Sequence, residues 1–317
     1  MYFIDERIQK ICDQLKNFRT TIIAPLDDWE YKHGQFFRPE EANKSEIPWE
    51  PFDCRTMRFY AYPDGSADGK FKGQVTDFLG IPGEHYWFRK QITIPDEFEG
   101  KPVFFHISTQ IDEWDDGKNP QFLVFVNGEV VQGADMNHRE VLLRKRASAG
   151  EKLDIDLQVY TGIMHMEFAF VTSLFTIDER INHLYYDLLV PLQAFPRMDK
   201  DSKVRLDMQT ILNNTINLLD LRIPYDENFY RSIDDAQKYL TENLYEKLGG
   251  HDDIIATCIG HTHIDVAWWW TVSQTREKVV RSFATVLKLM EEYPNYKFMS
   301  STPCIYYFLQ QRYPELF

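Results

Sequence analysis

Between about Pro51 and Phe175 the chain runs in short segments with a two-residue apolar period, and from Asp178 to about Gly250 its apolar residues fall three and four apart. One continuous layer cannot satisfy both, because side chains alternate across a strand but line one stripe of a helix. The switch requires at least two structural parts. The 317 residues, 44% of them apolar, suffice to give each a core.

The first pattern is carried by HYWFRKQITIP, PVFFHIST, QFLVFVNGEVVQG, EVLLRK, KLDIDLQVYTG and HMEFAFVTSLFTI, with an Asn-Gly turn at Asn127–Gly128. Short strands separated by Gly, Pro and Asp predict an antiparallel sandwich over 51–176. Upstream, Ile4, Ile8, Ile11, Leu15 and Phe18 predict an amphipathic helix, and Pro25, Gly34, Pro39 and Pro48 predict an irregular but packed segment up to residue 50. The second pattern predicts a helical linker over 177–250, with a helix starting at Ser232 and stopping at Gly249–Gly250.

Residues 251–317 change again. An apolar run at Ile254 to Ile259 reads as a buried parallel strand, with Cys258 a small buried hydrophobe. The helical pattern REKVVRSFATVLKLMEEY, a second strand around KFMSS and a second helix follow. Strand, helix, strand, helix is the order of an α/β domain, and two such units cannot bury both faces of a sheet. The expectation is therefore the front part of a longer protein, with the apolar faces of the two units exposed.

Thirty-five Lys and Arg against 49 Asp and Glu give a net charge of −14. That surplus argues against nucleic acid and anionic membranes as partners. Cys12, Cys54, Cys258 and Cys304 form no CxxC pair, which argues against a zinc knuckle or a redox dithiol. The charged N-terminus lacks a secretory h-region, and a cytoplasmic protein with reduced thiols is expected.

The segment richest in chemistry is Gly260-His261-Thr262-His263-Ile264-Asp265. If the strand continues through it, His261, His263 and Asp265 share one face at a strand's C-terminal end, where α/β folds place ligands. Imidazole and carboxylate both suit zinc. The plainer alternative is a set of satisfied core residues, although three such groups buried without a common partner would be costly. Trp268, Trp269 and Trp270 follow, and cannot all face one core. Either one lines a cleft as a platform for a sugar ring, or two are core and one sits at an interface.

GHTHIDVAWWWT resembles the first-strand motif of the family 38 glycoside hydrolases, zinc-dependent retaining α-mannosidases, with His261, His263, Asp265 and Trp268 in register. The downstream helix, second strand and YPELF are also similar, although Ser300-Ser301 stands where the family has Ser-Gln. Upstream, WFRKQITIP, FVNGE and LDIDLQVYTG resemble the jelly-roll modules attached to many glycoside hydrolases. The resemblance implies a multidomain chain: an N-terminal helix and irregular segment (1–50), a jelly-roll-like β-sandwich (51–176), a helical linker (177–250) and the first βα units of an α/β barrel catalytic domain (251–317). It implies His263 and Asp265 as ligands of zinc (Zn2+), a supporting role for His261, and Trp268 against the substrate. The nucleophile and the acid/base carboxyl are expected beyond Phe317, so no catalytic residue is assigned. Hydrolysis of terminal α-mannosides from a mannose-containing oligosaccharide is the implied reaction. Homo-oligomerisation is left open.

Two other readings exist. An amidohydrolase-type metal hydrolase would put His261 and His263 together on the metal, with no place for Asp265 or Trp268. A carbohydrate-binding or assembly module would make the β-sandwich the working part.

Overall fold

The computed structural model describes residues 3–54, 57–59, 77–79, 83–110, 120–163, 169–249 and 257–317. Its strands are β1 (Thr20–Pro25), β2 (Asp28–His33), β3 (Glu50–Asp53), β4 (Met57–Phe59), β5 (Asp77–Leu79), β6 (His85–Thr93), β7 (Val103–Ser108), β8 (Gln121–Val126), β9 (Glu129–Ala134), β10 (Glu140–Arg144), β11 (Lys152–Tyr160), β12 (Val171–Ile177), β13 (Gly260–His261) and β14 (Phe298–Met299). The α-helices are α1 (Ile4–Phe18), α2 (Pro39–Lys44), α3 (Glu179–Ala194), α4 (Lys203–Asn217), α5 (Glu227–Leu240), α6 (Val272–Glu292) and α7 (Pro303–Arg312). The chain forms two compact units, Met1–Ile22 with Thr176–Ala256, and Ile23–Phe175 with Thr257–Phe317.

The first unit is helical. Ile8, Cys12 and Leu15 of α1 pack with Ile181, Leu184 and Leu188 of α3, and with residues of α4 and α5. Each buried Leu or Ile contributes about 1.5–3 kcal/mol. Asp178 caps α3 by accepting from the Arg180 amide at 3.0 Å. The helix expected to start at Ser232 begins instead at Glu227, capped by Asp226, which accepts from the Phe229 amide at 2.7 Å. Ser232 is an interior helical residue whose hydroxyl donates to the Phe229 carbonyl at 2.7 Å and accepts from the Asp220 amide at 2.9 Å. A π-helical turn, Thr241–Leu248, extends the helix to Gly249; Gly250 lies outside the described residues.

The second unit holds the sandwich. A six-stranded sheet in the order β3-β2-β6-β11-β8-β9 faces a four-stranded sheet in the order β1-β12-β7-β10. Phe170 centres the core, stacked on Phe88 at 4.5 Å and edge-on to Trp29 and Phe52 at 5.7 and 5.5 Å. Asn127 and Gly128 have φ of 52° and 84°, the left-handed conformations a tight two-residue hairpin needs. The segment read as irregular up to residue 50 supplies β1, β2 and α2 and runs into β3. Its prolines and Gly34 punctuate short strands, while Trp29 and Tyr31 alternate inward.

β8 is buried along its whole length on both sides of the sheet. The reason is a second core on the outer face of the six-stranded sheet, where Trp87, Leu123 and Phe125 meet Val279, Phe283, Ile305 and Leu309. The apolar faces expected to be exposed on α6 and α7 are thus largely covered by the sandwich. Gly133 permits the approach: a Cβ there would lie 2.6 Å from the Arg281 carbonyl oxygen.

Candidate functional site

β13 and β14 pair in parallel, Gly260 opposite Phe298 and His261 opposite Met299. The expected long buried strand is not seen among the described residues. Regular pairing covers two residues, Ile259 and Cys258 are exposed, and 251–256 lie outside the described residues. A parallel strand is buried when neighbours flank it and helices cover both faces. Among the described residues this sheet has two strands. Gly260 has no side chain where the Tyr296 phenol lies, and its amide donates to the Lys297 carbonyl at 2.7 Å.

After His261 the chain leaves the strand. Ile264 is 6% exposed and belongs to the core shared with α6 and α7. Its neighbours His263 and Asp265 are displayed outward, with side chains 71% and 43% exposed. His263 Nε2 lies 3.0 Å from Asp265 Oδ1. His261 turns elsewhere, its Nε2 3.4 Å from Ser301 Oγ. The three-residue cluster suggested by alternation is therefore reduced to a pair, and among the described residues no three His, Cys, Asp or Glu side chains gather as a metal site.

Backbone contacts fix the pair. The Asp265 carbonyl accepts from the Trp270 indole and from the Thr275 hydroxyl, each at 3.3 Å, and the Val266 carbonyl lies 2.5 Å from the same hydroxyl. Thr275 is fully buried in the first turn of α6. Thr271 and Gln274 close a capping box at that helix start. Sequence reading missed Thr275, although the Thr-x-x-Gln spacing at 271–274 marked the helix start. Trp268 and Trp269 are 64% and 57% exposed, while Trp270 is half-buried under Lys278, whose Nζ stands 4.4 Å from the ring centroid. The surface thus combines an imidazole, a carboxylate and an open aromatic face, a set that can share a cation and stack a ring.

Residues 253–317 match the glycosyl hydrolases family 38 N-terminal domain. Over 265 residues the chain is 22% identical to alpha-mannosidase G of Dictyostelium discoideum, covering 77% of this chain and 23% of the relative. It is 26% identical to alpha-mannosidase 2C1 of Homo sapiens over 263 residues, covering 77% of this chain and 24% of the relative. The chain thus spans about a quarter of the length of these curated relatives. Among solved structures, a b-glucuronidase from Ruminococcus gnavus matches 50% of this chain and 29% of its own at 13% identity, with a TM-score of 0.29, too low to carry an argument. Residues 253–317 thus match the family 38 glycosyl hydrolase N-terminal domain, and 77% of the chain is similar to about a quarter of each of two α-mannosidases.

Proposed function

We propose that this chain is the N-terminal part of a zinc-dependent retaining α-mannosidase acting in the cytoplasm on terminal α-mannosides of oligosaccharides. In this reading β13, α6, β14 and α7 are the first βα units of an α/β barrel. The division 1–50, 51–176 and 177–250 then marks the N-terminal segment, the greater part of the sandwich and the helical linker, with β1 and β2 of the sandwich lying before residue 51. The observation that carries it is the His263–Asp265 pair, 3.0 Å apart and open to solvent beside the exposed Trp268, inside the segment that matches the family.

The donor chemistry fits zinc in part. One imidazole nitrogen and one carboxylate oxygen are close enough to share an ion, and zinc commonly takes four ligands. His263 and Asp265 would hold the metal, and the remaining ligands are not assigned to this chain. Zinc, when bound, supplies an electrophilic anchor that orients the sugar's hydroxyls. The chain's own residues do the rest that can be assigned: Trp268 offers a face for the ring, and Trp270 and Thr275 hold the Asp265 backbone in place. The nucleophile and the acid/base carboxyl, which the retaining mechanism requires, are not assigned to residues of this chain.

The amidohydrolase reading requires His261 and His263 on one metal, and His261 reaches Ser301 instead. The test is an aryl α-mannoside assay of the full-length protein. Chelation abolishes turnover and zinc restores it; turnover that survives thorough metal removal overturns the metal role. The 317-residue chain alone shows no turnover.

A further inference from the structure

The outer face of the six-stranded sheet is divided. Trp87, Leu123 and Phe125 lie under α6 and α7. Further along β6, and on the adjacent β11, Arg89, Gln91, Asp154 and Asp156 line an open groove of about 520 Å3. α2 adds Glu40 and Asn43 to it, and the β8–β9 turn adds Asn127 and Gly128.

Most of these polar groups already have partners. Arg89 Nε donates to Glu30 at 2.7 Å and its Nη1 to Asn43 at 3.0 Å. Gln91 donates to Asp154 Oδ1 at 2.9 Å, and the Asp154 amide donates to Asn127 at 2.9 Å. Lys90 donates to the Asp28 carbonyl. Asp156 differs. It is 7% exposed and sits opposite Arg89 in the strand pair, yet no hydrogen bond or ion pair joins its carboxylate to a described residue. Asp156 opens onto the groove, and holding so much of an unpartnered carboxylate out of water costs stability, a cost that is understandable where a ligand supplies the partner.

The groove also selects the ligand's chemistry. Four carboxylates, Glu30, Glu40, Asp154 and Asp156, face two cations, Arg89 and Lys90, which leaves a surplus of negative charge. Among the described residues no aromatic side chain lines it, so a sugar ring has no platform. No three metal-capable side chains gather there among the described residues, so a metal ion lacks ligands.

We propose that this groove binds a compact organic cation through a primary ammonium group seated on Asp156 and Glu40. The ammonium N–H groups supply donors to carboxylates that have none. The site is independent of the glycosidase reading. Burial, then Asp154, and further Glu40 raise the Asp156 carboxyl to about 6 against the pull of Arg89. The charged groups facing it are Glu30 on β2, Glu40 on α2, Arg89 and Lys90 on β6, and Asp154 on β11; the β8–β9 turn adds no titratable group. A cation prefers the ionised carboxylate, so binding strengthens as pH rises through that value.

The experiment is calorimetric titration of the 317-residue chain with putrescine. Binding is expected at pH 7.5, weaker by about tenfold at pH 5, where most of a carboxyl titrating near 6 is protonated. Asp156→Asn removes the charge with little change of shape; it binds at least about tenfold more weakly at pH 7.5 and loses the pH dependence. Glu40→Gln, at an exposed position of α2, keeps the test decisive should Asp156→Asn fail to fold, and also weakens binding. Tetramethylammonium, with the charge but no N–H donor, binds more weakly than putrescine. Unchanged affinity in the variants overturns the proposal. So does the absence of putrescine binding at millimolar concentration, or saturation by mannose where putrescine fails.

Discussion

Nε2 of His85 and Oε2 of Glu277 stand 2.9 Å apart, with side chains 12% and 4% exposed, so strand β6 and helix α6 are joined by a sealed hydrogen-bonded contact. Gln35 donates to the other Glu277 oxygen at 2.6 Å. Arg281, one turn along α6, lies 3.7 Å from Oε2 and donates to Gln121 at 2.5 Å. The apolar core beside it would tolerate small slides of the helix, whereas buried charges with fixed partners specify one position.

This pair predicts a pH-dependent stability. Burial works to raise the Glu277 carboxyl, but the hydrogen bond and charge of His85, then Arg281 and Gln35, outweigh it, so the group sits below its ordinary value of 4.5. Its contribution is complete above about 4.5 and is lost as pH falls through the lower folded value. Glu277→Gln should cost about 3 kcal/mol at pH 7, because Arg281 is left buried without its counter-charge. Denaturant midpoints of wild type and variant should converge below pH 4.5. A gap that stays constant down to about pH 3 would show that the charge does not hold the helix.

Gly133 tests the contact between β9 and α6 from the other side. A Cβ there meets the backbone of Arg281 at 2.6 Å, and neither a strand nor a helix backbone can swing aside as a flexible side chain would. Gly133→Ala should destabilise by about 1–3 kcal/mol. Thr285, whose hydroxyl donates to the Gly133 carbonyl at 3.2 Å, should lose that bond as the helix lifts. An unchanged melting temperature would mean that the helix stands further from the sheet than described.

The sandwich strands from His85 onward were legible because each alternates or sits between turn residues, and Asn127–Gly128 marks its hairpin outright. The strands within Thr20–Asp53 were not, since four or six residues between prolines give too short a period to register. Glu277 and Arg281, four apart on a helix, have the spacing of an ordinary surface pair, and the partners that bury them, His85 and Gln121, are some 160 to 190 positions away. The QFLVFV run did carry a usable signal, because a strand apolar on both faces in an antiparallel sheet needs a cover on each side. At the candidate site, the spacing gathered His261, His263 and Asp265 and the resemblance narrowed the expected ligands to the last two; that His261 reaches Ser301 depends on where the strand ends, which the spacing does not show.

Thr275→Val keeps the branched shape and removes the hydroxyl that serves Val266 and Asp265. A buried carbonyl and the Trp270 indole then lose a partner, at a cost of about 1–3 kcal/mol. Amide exchange should quicken across residues 265–270, while the hairpin at Asn127–Gly128 stays unchanged. Equal protection of both segments in the variant would show that Thr275 does not hold the loop.

His263, His261 and Trp268 separate the roles at the surface, in the full-length protein. His263→Ala removes one of the two donors 3.0 Å apart and should lower zinc occupancy by metal analysis much more than His261→Ala, whose side chain faces Ser301. Losses of equal size would bring back the reading in which both imidazoles bind the metal. Trp268→Ala should leave occupancy unchanged. With 64% of the residue already exposed, its removal should shift folding stability by no more than about 0.5 kcal/mol. What it should lose is the ring platform, seen as a rise of about tenfold in KM for an aryl α-mannoside, the scale of one or two kcal/mol of aromatic contact. A variant that keeps its KM but melts lower would mean that Trp268 packs against another part of the full-length protein and never meets the sugar.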